Sequence, residues 1–313
     1  MEIGNQIIIK KILKFIILII IIKTDFRNIA PWYSNNSLDK IQIQQINIEW
    51  MYYLNDSIDI RKLSIPGTHD SCASIFLNSV ISLWWIKVKC QCQIWSIQEQ
   101  LVAGIRYFDL RPAGDGIIYH ADGKTTYSMN SIFEIFKNFL NEHPSEGLIV
   151  RIQFQDKNYG DNIEQSKEKA IYKVLDKYND FLYKDNDVPS VGKLRKKIFV
   201  ILENLEYKNL LIWDKNDLME LQDYFRLEGV KKLEIEKKKN LVRDYLFNNN
   251  KDKLIINHCS AAGKRILTTK EYLAFAINKV PYKEVGFRGI LIFDFPGEEL
   301  INHVINQNKE FFK

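Results

Sequence analysis

No glycine-rich phosphate loop occurs anywhere in the chain, in either the G-x-G-x-x-G or the G-x-x-x-x-G-K-[ST] form, although 14 of the 313 residues are glycine. That absence removes the dinucleotide-binding and P-loop classes, whose backbone amides need those glycines to approach a phosphate. Cysteine is sparse: Cys72, Cys90, Cys92 and Cys259 are the four, and no two make a C-x-x-C pair. Zinc ribbons and thioredoxin-type redox motifs are therefore not indicated. Disulfides from Cys90 and Cys92 to the other two are compatible with an oxidising compartment, with the connectivity open. Charge is nearly balanced, 44 basic against 39 acidic residues for a net +5. With no arginine-rich segment and no recognition motif, a nucleic-acid partner is not expected. Proline is scarce, at seven. No Pro- or Gly-rich linker and no internal repeat divides the sequence, which favours one domain even at this length.

Long apolar runs are missing too, apart from one at the N-terminus. There Lys10, Lys11 and Lys14 precede an apolar stretch from Phe15 to Ile22. A basic flank before a short apolar core reads as a secretory signal peptide. It falls short of the roughly 20 apolar residues of a spanning helix. No small-residue cleavage site is evident, so an uncleaved anchor and a buried N-terminal element stay open. The expected organisation is an export segment or anchor over 1–24, a lead-in over 25–57 and one folded unit over 58–313. Two sequons, Asn35-Asn36-Ser37 and Asn55-Asp56-Ser57, agree with export but arise easily in an Asn-rich chain.

Strand and helix patterns alternate beyond the leader. Strands are expected in IRKLSI, IRYFDLR, GIIYHA, GLIVRIQF, KKIFVILENL, DKLIINHCS and FRGILIFDFP. Helices are expected at 96–103, at 131–143 with Ile132, Ile135, Phe136, Phe139 and Leu140 on one face, and after the D-x-x-E start at Asp161 and Glu164. Others are expected at about 229–247, in KEYLAFAINKV and in EELINHVINQN. Such alternation implies parallel β-α units, and points to an α/β fold, a single distorted (β/α)8 barrel of TIM type. An open doubly wound sheet is the alternative.

Barrel enzymes carry their chemistry at the C-terminal ends of the strands. Here those ends hold His69 and Asp70, Asp109 and Arg111, His120, Gln153 with Asp156, Glu203 with Asn204, His258, and Asp294. Two histidines, an arginine and carboxylates make a set suited to phosphodiester cleavage. A neutral imidazole can take a proton from an attacking hydroxyl and a protonated one can give a proton to a leaving oxygen. A guanidinium stabilises the phosphoryl charge. A carboxylate behind the base fixes its tautomer. For any one carboxylate the plainer reading is a structural ion pair or helix cap.

The segments "IPGTHDS", "GIRYFDLR", "IIYH" and "ILIFDF", in that order and spacing, resemble the X region of phosphatidylinositol-specific phospholipase C, in its bacterial-type and X-domain-only forms. The resemblance runs from about Ile58 to the C-terminus. It implies a distorted β/α barrel that cleaves the bond between inositol phosphate and diacylglycerol through an inositol 1,2-cyclic phosphate. By motif, His69 is the general base, His120 the general acid, Arg111 a phosphate contact, Asp294 the support of His69, and Asp70 a neighbour of the phosphate and leaving group. Asp109, Gln153, Glu203 and His258 fall on the substrate-binding side, with Asp109 orienting Arg111. In the calcium-dependent animal members an Asn follows the first His and acidic ligands stand on later strands. Asp70, Arg111 and Gln153 occupy those places here. Calcium takes about six or more oxygen ligands, and a guanidinium supplies charge without an ion. The expectation is a metal-independent enzyme without a cofactor.

The expected partners are an inositol phospholipid and a phospholipid surface; no oligomeric state is indicated. Trp84, Trp85 and Trp95, with Lys87 and Lys89, suit a membrane interface or, equally, the core of the first barrel helix. The basic run VKKLEIEKKK, 230–239, is expected to be a solvated helix face. Two other functions compete: a metal-dependent glycerophosphodiester or sphingomyelin phosphodiesterase on a related barrel, which would need a carboxylate cluster where Arg111 stands, and a lipid-binding pseudoenzyme, which would bind without turnover.

Overall fold

The computed structural model describes residues 32–33, 45–74, 90–121, 123–155, 168–213, 217–228, 232–248, 250, 252–263 and 269–313. Eight parallel strands form one sheet: β1 (Ser64–Thr68), β2 (Tyr107–Leu110), β5 (Leu148–Gln153), β6 (Ile198–Glu203), β7 (Leu211–Ile212), β8 (Met219–Gln222), β10 (Leu254–His258) and β12 (Gly289–Phe293). They neighbour one another in the order β7-β6-β5-β2-β1-β12-β10-β8. Among the described residues no ladder joins β7 to β8, so the barrel is parted along one seam. Two smaller pairs complete the strands. An antiparallel hairpin joins β3 (Ile117–His120) to β4 (Gly123–Ser128), and a parallel pair joins β9 (Arg226–Leu227) to β11 (Ala262–Gly263).

Helices α1 (Ile97–Val102), α2 (Met129–Glu142), α3 (Lys169–Lys177), α4 (Lys232–Leu246), α5 (Lys270–Lys283) and α6 (Glu298–Asn306) cover the outside. Apart from the short β7 and β8, the strands are buried on both faces almost throughout, as is usual of parallel sheets. In β12, Ile290 and Ile292 join the larger apolar core while Leu291 and Phe293 pack with α4, α5 and α6 in a second one. Alternate side chains of a strand point to opposite faces, so one strand serves both cores. Helix starts are fixed locally. Ser96 and Glu99 form a capping box on α1, and Ser128 Oγ accepts from Ser131 N–H at α2.

Several expectations need correction. IRKLSI is not a strand throughout: Ile60–Lys62 is a 3-10 turn capped by Asp59, and β1 begins at Ser64. GIIYHA is a strand, but of the hairpin rather than the barrel. The missing barrel strands are β7 and β8, two and four residues long, too short to show a period. Lys238 of the basic run is fully buried. It lies three residues from Ile235 and four from Val242, both buried, so the helical period turns it inward. There Nζ donates to Gln222 Oε1 at 3.1 Å, and burial pushes its pKa down to about 8. All four cysteines are buried thiols, not the disulfides allowed above. Trp95 is a core residue rather than an interface one. Trp84, Trp85, Asp156, the start at Asp161 and Glu164, and the leader lie outside the described residues. Among those described, no helix is long and apolar enough to cross a membrane.

The N-terminal ends of the strands are closed by one buried ion pair. Arg106 precedes β2 and Glu146 precedes β5; their charged groups lie 2.8 Å apart and both are sealed from water. Arg106 also donates to the carbonyls of Leu101, Ile105 and Ile48, and Met51 N–H donates to Glu146. The pair thereby ties residues 47–51 under the barrel. Removing one partner of such a pair strands a buried charge, a loss of about 3–5 kcal/mol. Glu146→Ala is expected to lower the urea unfolding free energy by that amount; a loss of the size seen for surface pairs, below about 1 kcal/mol, would contradict this role.

Candidate active site

Four non-glycine residues directly after strand-end side chains have left-handed backbone: Asp70 (φ 43°), Ala121 (φ 49°), Asn204 (φ 57°) and Phe295 (φ 47°). Asp and Asn tolerate this region; Ala and Phe adopt it against a cost of order 1–3 kcal/mol. Each turns the chain sharply past the residue before it: His69, His120, Glu203 and Asp294. The glycine of IPGTHDS has a separate reason, since a Cβ on Gly67 would lie 2.9 Å from the Tyr107 side chain where β1 crosses close to β2.

The first loop is locked before any charge is considered. His69 N–H extends the β1–β12 ladder to Phe293 O at 3.0 Å, which sets His69 beside Asp294. Ser71 N–H donates to Asp109 O, and Asp109 N–H donates to Ser71 Oγ. Gln93 Nε2 donates to both His69 O and Phe293 O. Gln100 bridges Thr68, Ser71 and Trp95.

On this frame the two imidazoles face each other, ring centroids 6.1 Å apart. His69 Nδ1 donates to Asp294 Oδ1 at 2.8 Å. His120 Nδ1 donates to Cys90 O at 2.5 Å. Both Nε2 atoms then point at one oxygen: Asp70 Oδ2 is 3.2 Å from His69 Nε2 and 3.0 Å from His120 Nε2. Arg111 stands between them. It donates to Asp70 Oδ1 at 2.8 Å, to Asp109 Oδ2 at 2.9 Å and to His69 Nε2 at 2.8 Å. Burial pushes the Asp70 carboxyl up, but Arg111, His120 and His69 outweigh it and hold it well below the usual carboxylate range. Burial lowers the pKa of His120; Asp70 opposes this, and Lys270 and Arg111 add to the fall.

Asp109 lies beneath Arg111, fully buried. It is flanked on its other side by Arg151 at 3.4 Å, and its Oδ2 also accepts from Asp70 N–H at 3.2 Å. Arg151 in turn pairs with Glu203 and lies over the Trp213 ring at 4.2 Å. Gln153 Nε2 donates to Glu203 Oε1 at 2.8 Å. Thus Gln153 and Glu203 join the cluster through Arg151. His258 is buried against the His69 ring, centroids 6.1 Å apart, with Asp223 at 3.8 Å and no partner for Nε2 among the described residues.

Sequence reasoning missed Arg151, Cys92 and Lys270. Arg151 had a readable mark, a charge inside the apolar strand LIVRIQ, which must be paired when buried. Cys92 and Lys270 had none; their Sγ and Nζ meet at 3.1 Å across 178 residues of chain. One trio of metal-type donors exists among the described residues, His69, Asp70 and Cys92. Arg111 contacts its Asp70 and His69, and Lys270 its Cys92.

No family model matches the sequence. The 1-phosphatidylinositol phosphodiesterase of Listeria monocytogenes is 31% identical over 299 residues, 88% of this chain and 90% of its own. The 1-phosphatidylinositol phosphodiesterase of Staphylococcus aureus is 23% identical over 344 residues, 96% of this chain and all of its own. Among solved structures, phosphatidylinositol-specific phospholipase C from Listeria monocytogenes superposes with a TM-score of 0.72 at 27% identity, covering 84% of this chain and 98% of its own.

Burial pushes the His258 pKa from 6.5 down to about 3. The unfolded chain therefore binds this proton first, and the group withdraws stability as pH falls from about 6.5 toward about 3. In a histidine-ring NMR titration His258 should show no midpoint between about pH 5 and 8, the range in which an unperturbed imidazole titrates; a midpoint there would contradict its burial.

Proposed function

This chain belongs to the phosphatidylinositol-specific phospholipase C family, and from that membership we propose that it cleaves phosphatidylinositol, or the equivalent bond of a glycosylphosphatidylinositol, by a two-histidine mechanism without a metal ion. One observation carries the mechanism. Each imidazole has its Nδ1 committed, to Asp294 or to Cys90 O, so that both Nε2 atoms face the same point beside Arg111.

In the proposed reaction His69 Nε2 takes the proton of the inositol 2-hydroxyl. The freed oxygen bonds to phosphorus, the bond from phosphorus to the diacylglycerol oxygen breaks, and that oxygen takes the proton of His120 Nε2. The products are diacylglycerol and inositol 1,2-cyclic phosphate. Internal attack of this kind has a high effective concentration. Hydrolysis of the cyclic ester then runs with roles reversed: neutral His120 accepts a proton from water and protonated His69 gives one to the 2-oxygen. Asp294 accepts a hydrogen bond from His69 Nδ1–H and stabilises the imidazolium. Arg111 holds a non-bridging oxygen, and Asp70 and Asp109 fix its fork. Glu203 and Gln153 are assigned to the headgroup side, where carboxylate and amide groups suit the inositol hydroxyls; Asp109 and His258, expected there too, are sealed beneath Arg111 and behind His69 and act through them.

Metal independence is supported by Arg111, whose donors already meet Asp70 and His69 at 2.8 Å and fill the position a divalent ion would need. The basic-flanked segment at 1–24 supports export or anchoring, with 25–57 as a lead-in and 58–313 as the barrel. The substrate class makes a phospholipid surface the working partner, and Trp84 and Trp85 are proposed to meet it.

His69→Ala and His120→Ala should each cut turnover of phosphatidylinositol by about 10²- to 10⁴-fold, and wild-type turnover should be unchanged in excess chelator. A near wild-type rate in either variant would remove that histidine from the mechanism. Loss of activity in chelator, restored by calcium, would overturn the metal-free reading and favour the metal-dependent phosphodiesterase.

A further inference from the structure

Lys270 is the first residue of α5, behind Thr269, whose hydroxyl accepts from Tyr272 N–H. Its side chain crosses the barrel mouth. Nζ lies 3.0 Å from His120 Nε2 and 3.1 Å from Cys92 Sγ. Asp70 Oδ2 is also 3.0 Å from that same Nε2. A carboxylate and an ammonium thus converge on the one nitrogen of His120 that is free to exchange a proton, since Nδ1 is held by Cys90 O.

The two contacts exclude each other. An unprotonated Nε2 accepts from Lys270. A protonated Nε2 donates to Asp70, and the ammonium must then leave, because two N–H groups cannot point at each other. Where the ammonium would go follows from its partners. Thiol sulfur is a weak acceptor, and among the described residues no carboxylate lies within ion-pair distance of Nζ. Asp294 and Asp70 favour the ammonium only from beyond contact distance, and the anion that the reaction brings within contact is the phosphodiester. Charged groups facing the pair are Asp70 from the end of β1, Arg111 from the end of β2 and Asp294 from the end of β12. Cys92 faces it from the segment before α1.

We propose that Lys270 is a catalytic residue of this site: its ammonium leaves His120 Nε2 for a non-bridging oxygen of the diester, sharing that charge with Arg111 and freeing Nε2 to carry the proton for the departing diacylglycerol oxygen. The proposal rests on the two-histidine reading above. Lys270 stays protonated throughout; the proton that His120 gives up is taken from solvent before the step. Arrival of the substrate anion is thereby coupled to charging of the acid. Burial, with the lysine contact beside it, favours the neutral imidazole, and a phosphate that draws the lysine away removes the second of these.

The test is the pH dependence of kcat/KM for wild type, Lys270→Gln, Lys270→Arg and His120→Ala on phosphatidylinositol in detergent micelles with excess chelator. Removing one charge-stabilising donor costs about 10²-fold, and that loss is expected for Lys270→Gln. Its basic limb should also move to higher pH, because the cation that repels the His120 imidazolium is gone. Lys270→Arg should recover part of the rate. A lysine that never touched the phosphate would move the limb by its charge alone but would leave the rate at the optimum pH intact in folded protein, which thermal melting checks; Lys270→Met gives a second neutral variant if the first does not fold. A Lys270→Gln enzyme as fast as wild type, beside a crippled His120→Ala, overturns the role of Lys270 alone. A wild type that does not cleave, or a His120→Ala enzyme that is unimpaired, overturns the two-histidine reading and the proposal with it.

Discussion

Asp70 is a carboxylate in a place that no carboxylate occupies alone. It is buried at the end of β1 in a left-handed conformation, and its two oxygens meet Arg111, His69 and His120. Taking such a charge out of water costs several kcal/mol, offset only by close, well-aligned partners. The rest of the mouth is arranged to supply them. The Ser71–Asp109 bonds hold the turn, the β1–β12 ladder holds His69, and Asp109 holds Arg111 from below. Without Asp70, an arginine, a lysine and two imidazoles would face one another with Asp109 and Asp294 behind them.

The charges of the mouth run inward in alternation. Arg111 sits on Asp70 and Asp109, Arg151 on Asp109 and Glu203, and Lys270 on the neutral His120 and Cys92. An anion is the group that completes this arrangement. Coulomb attraction is strongest where water is excluded, so positive side chains held in fixed places can do for a phosphoryl group what a bound ion does elsewhere. The opposite end of the barrel uses the same physics for another purpose. The Arg106–Glu146 pair, fully enclosed and bonded to backbone, fastens residues 47–51 and carries no chemistry.

The α/β alternation made the barrel legible, because six of its eight strands lie in mostly apolar segments that alternate with helical periods. β7 escaped notice because two residues carry no period, and β8 because MELQ sets Glu220 and Gln222 among its four residues; the seam between them is a tertiary feature. His69, Asp70, Asp109, Arg111, His120 and Asp294 were readable as polar groups ending apolar strands, and they do lie together. His120 does end a strand, as expected, but a strand of the β3–β4 hairpin and not of the barrel. Lys238 and Lys270 show the limit of charge patterning. Both sit in or beside helices that read as solvated or ordinary, and only three-dimensional packing turns one into the core and the other into the mouth.

The central claim is that two imidazoles and fixed cations, with no metal, drive an internal attack by the inositol 2-hydroxyl. Phosphorus NMR of phosphatidylinositol turnover in excess chelator tests it most directly. The five-membered cyclic ester should appear first, at its own downfield shift, and convert slowly to inositol 1-phosphate. Direct appearance of the acyclic monophosphate, with no cyclic ester at any time, would contradict the account.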